Sequence, residues 1–107
     1  MLEITPEKAY EEILSGRAIG IDVREADEWV AGHAPLVSWN PKSAFDINAM
    51  PKQGAVILIC RSGNRSGQVA EAFSDHNSQI FNMVGGMKAW HASGLPMESE
   101  NGNPEVA

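Results

Sequence analysis

Cysteine occurs once in this chain, at position 60, and tyrosine once, at position 10. A lone cysteine excludes an internal disulfide and a cysteine-based zinc site. Basic residues are also scarce: eight Lys and Arg against fourteen Asp and Glu leave a formal net charge of −6. The imbalance is uneven, with 5 basic and 9 acidic side chains in residues 1–53 and 3 and 5 in residues 54–107. No basic face offsets this charge, which argues against nucleic acid and anionic membranes as partners. No apolar run approaches the roughly 20 residues that a membrane span requires. The opening stretch "MLEITPEKAYEEIL" has neither a basic n-region nor an apolar h-region, so it does not read as a signal peptide. His33, His76 and His91 are too scattered for metal-ligand spacing, and His76 and His91 fall on predicted helix surfaces. A cytoplasmic domain is the expectation.

What is present is ordinary globular material. The 107 residues are 43% hydrophobic and 21% charged, enough for one domain with a single packed core. Thr5 and Pro6 read as an N-cap and first helical position, with Ala9, Tyr10, Ile13 and Leu14 on one face and Gly16 as the stop. "AIGIDV" (18–23) reads as a buried strand, "EADEWVAG" (25–32) as a short helix, and "LVSW" (36–39) as a second strand. Residues 42–50 are weakly patterned and fit a helical turn. "AVILIC" (55–60) is the clearest strand, and its continuous apolar run fits the middle of a parallel sheet covered on both sides. Val69, Ala72 and Phe73 mark the next helix, "SQIFNMV" (78–84) another strand, and "GGMKAWHASG" (85–94) a last helix. "ESENGNPEVA" reads as a polar, disordered tail. There is no internal repeat and no domain linker. Strands alternating with helices at this spacing predict a small α/β sandwich around a mostly parallel sheet.

In such sheets ligands bind beyond the carboxyl ends of the strands. Cys60 stands at one of these ends. The loop after it, Arg61, Ser62, Gly63, Asn64 and Arg65, offers a row of backbone N–H groups that Gly63 can curl into a nest by taking a positive φ. The helix that begins near Arg65 or Ser66 aims its free N–H groups at the same point. Each of these features favours a thiolate. A cysteine that only fills core space needs none of them, so the pattern predicts a reactive anion that handles a small anionic substrate. Two reaction classes use such a site, phosphoryl transfer and sulfur transfer. Cysteine-dependent phosphatases resemble Cys-x5-Arg, whereas Cys60 to Arg65 is Cys-x4-Arg. The tighter ring suits a persulfide better than a tetrahedral phosphate.

Three segments, in order, resemble the rhodanese family of thiosulfate sulfurtransferase-type domains. "IDVREADEWVAGHAP" (21–35) resembles its first signature, "CRSGNRS" (60–66) its active-site loop, and "VGGMKAWHASGLPME" (84–98) its closing signature. The resemblance implies a three-layer α/β/α domain over residues 1–98, with about five mostly parallel strands and residues 99–107 as a tail. It implies Cys60 as the sulfur acceptor and Arg61, Ser62, Gly63, Asn64, Arg65 and Ser66 as the substrate cradle, with Arg65 helping to draw the anion. His33 would brace a loop, and Trp90 falls where the family packs a tryptophan; on the residues alone, Asp22 and Arg24 at a strand end read as a supporting ion pair, and Trp29, Trp39 and Trp90 as core. A small anionic sulfur donor such as thiosulfate, a thiol or protein acceptor, and no metal or organic cofactor complete the expectation. The resemblance leaves open a phosphatase or arsenate reductase of the same fold, a binding module without turnover, and a persulfide carrier.

Two departures stand out. The family usually continues Gly-His-Ile-Pro-Gly-Ala, whereas this chain has Ala34, Leu36 and Val37, which predicts altered packing before the following strand. "SDHNSQ" (74–79) lacks the glycine usual before the next strand.

Overall fold

The computed structural model describes all 107 residues. Five strands form one sheet: β1 (Leu2–Ile4), β2 (Ala18–Asp22), β3 (Ser38–Trp39), β4 (Ala55–Ile59) and β5 (Ile80–Met83). Between and after them come α1 (Pro6–Leu14), α2 (Ala26–Ala31), α3 (Asn64–Ala72) and α4 (Gly86–Ala92). Two 3-10 turns, Lys42–Ala44 and Ile47–Ala49, occupy the weakly patterned segment. The strand order is β1-β5-β4-β2-β3, and every pair is parallel.

The apolar run of β4 is explained by its central place. Ile57 and Ile59 face one layer with Ala9 and Ile13 of α1 and Met87 and Trp90 of α4. Val56, Leu58 and Cys60 face the other, with Val69 and Ala70 of α3 and with Met50. Alternate side chains of a strand point to opposite faces, so a strand covered on both must be apolar throughout. The result is the three-layer α/β/α arrangement.

Thr5 caps α1 by accepting from the N–H of Lys8 at 3.2 Å, with Pro6 at its first turn, as its sequence predicts. β1 was not visible in the sequence. Three residues give no period to read, and Leu2 is exposed at the sheet edge; pairing with Phe81, Asn82 and Met83 is what makes the segment a strand.

β3 is two residues long, not four, because Leu36 bends the chain before it. Leu36 is the one non-glycine residue with a positive φ, +67°, and it stands where the family pattern has glycine. That conformation costs an L-residue about 1–2 kcal/mol, while the side chain is 68% exposed and contributes little burial in return. Leu36→Gly is therefore expected to stabilise the fold by about 0.5–1 kcal/mol after the added freedom of the unfolded chain is deducted. Urea unfolding measures this, and an unchanged or lower midpoint would contradict it. The second departure is absorbed without a positive φ. Asn77 is buried, donates to the carbonyls of Pro51 and Gly54 at 2.9 and 3.0 Å, and accepts from the N–H of Gln79 at 2.7 Å.

Three aromatic or histidine assignments need correction. Trp90 is fully buried against Tyr10, but Trp29 is half-buried and Trp39 is 41% exposed. Trp39 stands on the edge strand and is held by its indole N–H, which donates to the carbonyl of Arg24 at 2.8 Å. His76 lies in a turn, not on a helix surface, with its Nε2 bonded to the Met50 carbonyl oxygen at 2.8 Å. Residues 99–107 run back over the domain: the N–H of Glu105 donates to the carbonyl of Ala31 at 3.0 Å, and Val106 packs on the α1/α4 layer.

Candidate active site

The connection from β2 runs to β3 at one edge, and that from β4 runs to β5 on the other side. The carboxyl ends of β2 and β4 therefore flank the point where the chain direction across the sheet reverses, the usual place for a crevice in an open parallel sheet. Cys60 directly follows β4 there, and Val23 and Arg24 directly follow β2.

Gly63 turns the loop back with φ +103° and caps α3. This fold brings the N–H of Gly63 to 3.0 Å from the Cys60 sulfur and the hydroxyl of Ser66 to 3.2 Å. The sulfur side is closed, with Cys60 1% exposed and Ser66 fully buried. Burial pushes the thiol pKa up. The Ser66 hydroxyl and the N–H groups of Ser66, Gly63 and Ser62 outweigh it, so the thiol ionises below the ordinary range.

The loop is held from behind by α4. The N–H groups of Met87 and Lys88 donate to the carbonyls of Cys60 and Arg61 at 2.8 and 3.0 Å. With those carbonyls drawn toward α4, the following amides are left to face the sulfur. Such close approach requires Gly86, which has φ +56°; a Cβ there would lie 2.4 Å from the Cys60 oxygen and 2.5 Å from Arg61 backbone atoms. A polar cleft of about 600 Å³ lies beside the loop, lined in part by Ser62, Asn64, Gln68 and Asn82.

The remaining residues singled out by sequence fall into distinct positions. Asn64 is exposed at the start of α3. Arg61 is exposed, with its Nε donating to the Ala107 oxygen at 3.0 Å. Arg65, expected to draw the anion, has its guanidinium taken by Glu28 of α2 in a two-pronged pair at 2.7 and 2.7 Å. The hydrogen bond and charge of Arg65 hold the Glu28 carboxyl below its usual range, against the opposing effect of burial. Arg65 therefore ties α3 to α2.

Asp22 and Arg24 form a fully buried pair, with Nε to Oδ1 at 3.0 Å and Nη2 to Oδ2 at 2.8 Å; Nη2 also donates to the carbonyl of Gly32 at 2.8 Å. They brace the β2–α2 turn. His33 stacks on Trp29 at 3.7 Å, bonds its Nδ1 to the Trp29 oxygen at 2.9 Å, and exchanges backbone hydrogen bonds with Glu98. None of these three reaches the sulfur.

Sequence reasoning missed two residues. Glu28 lies in the short helix read from "EADEWVAG" with nothing local to mark its role; its carboxylate also accepts from the N–H of Glu25 at 3.0 Å. Asn82 is 5% exposed in the middle of β5, accepts from the Ser66 hydroxyl at 2.5 Å, and donates to the Gly63 carbonyl at 3.0 Å. The signal for Asn82 was a carboxamide inside the apolar run "IFNMV", since a buried amide needs partners.

The comparisons agree with this architecture. A family model for the rhodanese-like domain matches residues 5–93. A rhodanese-related protein of Thermoplasma volcanium is similar at 26% identity, with a TM-score of 0.80 over 94% of this chain and 100% of that one. A thiosulfate sulfurtransferase of Pseudomonas aeruginosa shares the fold at 18% identity and a TM-score of 0.76, over 92% of this chain and 19% of that much longer one. A Rhodopseudomonas palustris protein of unknown function, described as a possible tyrosine phosphatase, does so at 22% and 0.76, over 92% and 85%. With the matched segment running from the cap of α1 to the end of α4 and enclosing the Cys60 loop and the double glycine that supports it, the chain belongs to the rhodanese-like domain family.

Proposed function

We propose that this protein is a sulfurtransferase that carries a sulfane sulfur on Cys60. The observation that carries the reading is the sulfur itself, ringed by N–H groups and the Ser66 hydroxyl in a loop of Cys-x4-Arg length. The Cys60 thiolate attacks the outer sulfur of thiosulfate or a related donor. A new S–S bond forms, the donor S–S bond breaks, and sulfite leaves with the electron pair. A thiophile (cyanide in vitro, a thiol or protein thiol in the cell) then takes the outer sulfur, and the Cys60 thiolate departs with its pair. Charge on the outer sulfur is met by loop amides, which act as preorganised donors. No proton has to be moved by His33, and the steps need no metal or organic cofactor. The lone thiol fits a reducing compartment such as the cytoplasm.

The kinetic expectation is a ping-pong pattern for sulfite release from thiosulfate with cyanide as second substrate. Because the nucleophile is the ionised form and its pKa is lowered, kcat/KM should fall as the pH drops through that pKa, and should do so at a lower pH than an ordinary cysteine would give. Hydrolysis of an aryl phosphate or reduction of arsenate, with no sulfite released, would replace this reading by the phosphatase-type one. An inert protein would be a binding module.

A further inference from the structure

The Ser66 hydroxyl has one proton and two acceptors. It stands 2.5 Å from Asn82 Oδ1 and 3.2 Å from the Cys60 sulfur, and all three side chains are buried. Asn82 cannot turn its amide round, because its Nδ2 already donates to the Gly63 carbonyl at 3.0 Å and a flip would set two oxygens against each other. Its Oδ1 is thus a fixed competitor for the Ser66 proton. The Gly63 that Asn82 clamps is also the residue whose N–H faces the sulfur.

We propose that Asn82 is a positioning residue that sets where the Ser66 proton points, and thereby divides Cys60 between thiol and thiolate. When the sulfur is neutral, the hydroxyl donates to Asn82. When the sulfur is anionic, the hydroxyl turns to it and Oδ1 gives up its donor. Within the sulfur-transfer reading, the two positions match two stages of turnover. The hydroxyl faces the free thiolate before attack. It returns to Asn82 once the negative charge has moved to the outer sulfur of the persulfide.

The charged groups around the sulfur are Arg61 on its own loop and Arg65 on α3 with Glu28 on α2. The Asp22–Arg24 pair lies at the end of neighbouring β2, and Lys88 lies on α4, where its N–H holds Arg61. None of these is altered by substitutions at 66 or 82. The chain has one thiol, so ultraviolet titration of the thiolate, with Cys60→Ser as the blank, reports this group alone.

Ser66→Ala should lower the thiolate-to-thiol ratio at a fixed pH by roughly three- to tenfold, the size of one hydrogen bond to the anion. Asn82→Leu, similar in shape but with no acceptor, should raise the ratio by roughly threefold by releasing the Ser66 proton to sulfur. In the Ser66→Ala background the same change should no longer raise it. Asn82→Ala, which adds no bulk, carries the same expectation if leucine disturbs β5. An equal effect of the Asn82 change in both backgrounds, or no rise with Ser66 present, overturns the proposal. The titration uses no sulfur donor, so a protein without transferase activity would still show or lack the coupling.

Discussion

Cys60→Ser is expected to abolish sulfur transfer, by about 10⁴-fold or more, the scale seen when a nucleophile is removed from machinery that otherwise remains. Serine has nearly the same shape, and the N–H of Gly63 and the hydroxyl of Ser66 would remain in place around an oxygen. The hydroxyl, however, stays protonated at neutral pH, and it cannot form the S–S bond on which both half-reactions depend. The fold should survive. Cys60 is one small member of the α3-side core, and the loop is held by α4 through backbone bonds that do not involve the side chain. Thermal unfolding within a few degrees of the parent, together with no sulfite release, is the predicted result. Residual transfer at more than a trace would mean that some other group carries the sulfur.

The second large effect concerns Gly86. An alanine there would place its Cβ 2.4 Å from the Cys60 oxygen and 2.5 Å from the Arg61 carbonyl carbon and oxygen. These are backbone atoms bonded to the N–H groups of Met87 and Lys88, and they cannot move aside without releasing the loop. The positive φ adds about 1–2 kcal/mol on its own. Gly94 is the natural control. Its φ is +72°, but nothing lies within 4 Å of the added carbon. Gly94→Ala should therefore cost only about 1 kcal/mol, whereas Gly86→Ala should cost about 3 kcal/mol or more, since overpacking of a tight contact adds a further 1–3 kcal/mol. For a domain of this size that is a drop in Tm of roughly 12 °C or more. The folded fraction should also lose sulfur transfer by about 100-fold, because the amides that face the sulfur shift with the loop. Equal stability losses at the two glycines would show that conformation, not collision, accounts for the double glycine.

How much of this was legible follows from how far each signal reaches along the chain. β4 could be read because a strand buried on both faces writes an unbroken apolar run, and its successor loop could be read because Cys60, Gly63 and Ser66 lie within seven residues. α1 was readable from Thr5, Pro6 and the apolar face that follows. β1 was not, since three mostly exposed residues have no pattern of their own until β5 pairs with them. The polar supports were hidden for a different reason. Asn82 meets Ser66 across 16 positions and Glu28 meets Arg65 across 37, so neither partnership leaves a local trace. The clue at Asn82 was only that an amide sat among apolar neighbours. Arg65 illustrates the converse. It stands just inside α3 and not in the loop before it, and charge alone could not reveal that a carboxylate on another helix already holds it.

In the proposed reaction Cys60 takes up and gives back one sulfur atom. Its most direct test is the intact mass of the reduced protein after incubation with thiosulfate, followed by a cyanide chase. A gain of one sulfur atom is expected, confined to Cys60, absent in Cys60→Ser and removed by cyanide. An unchanged mass, under conditions where the thiol is free and ionised, would contradict it.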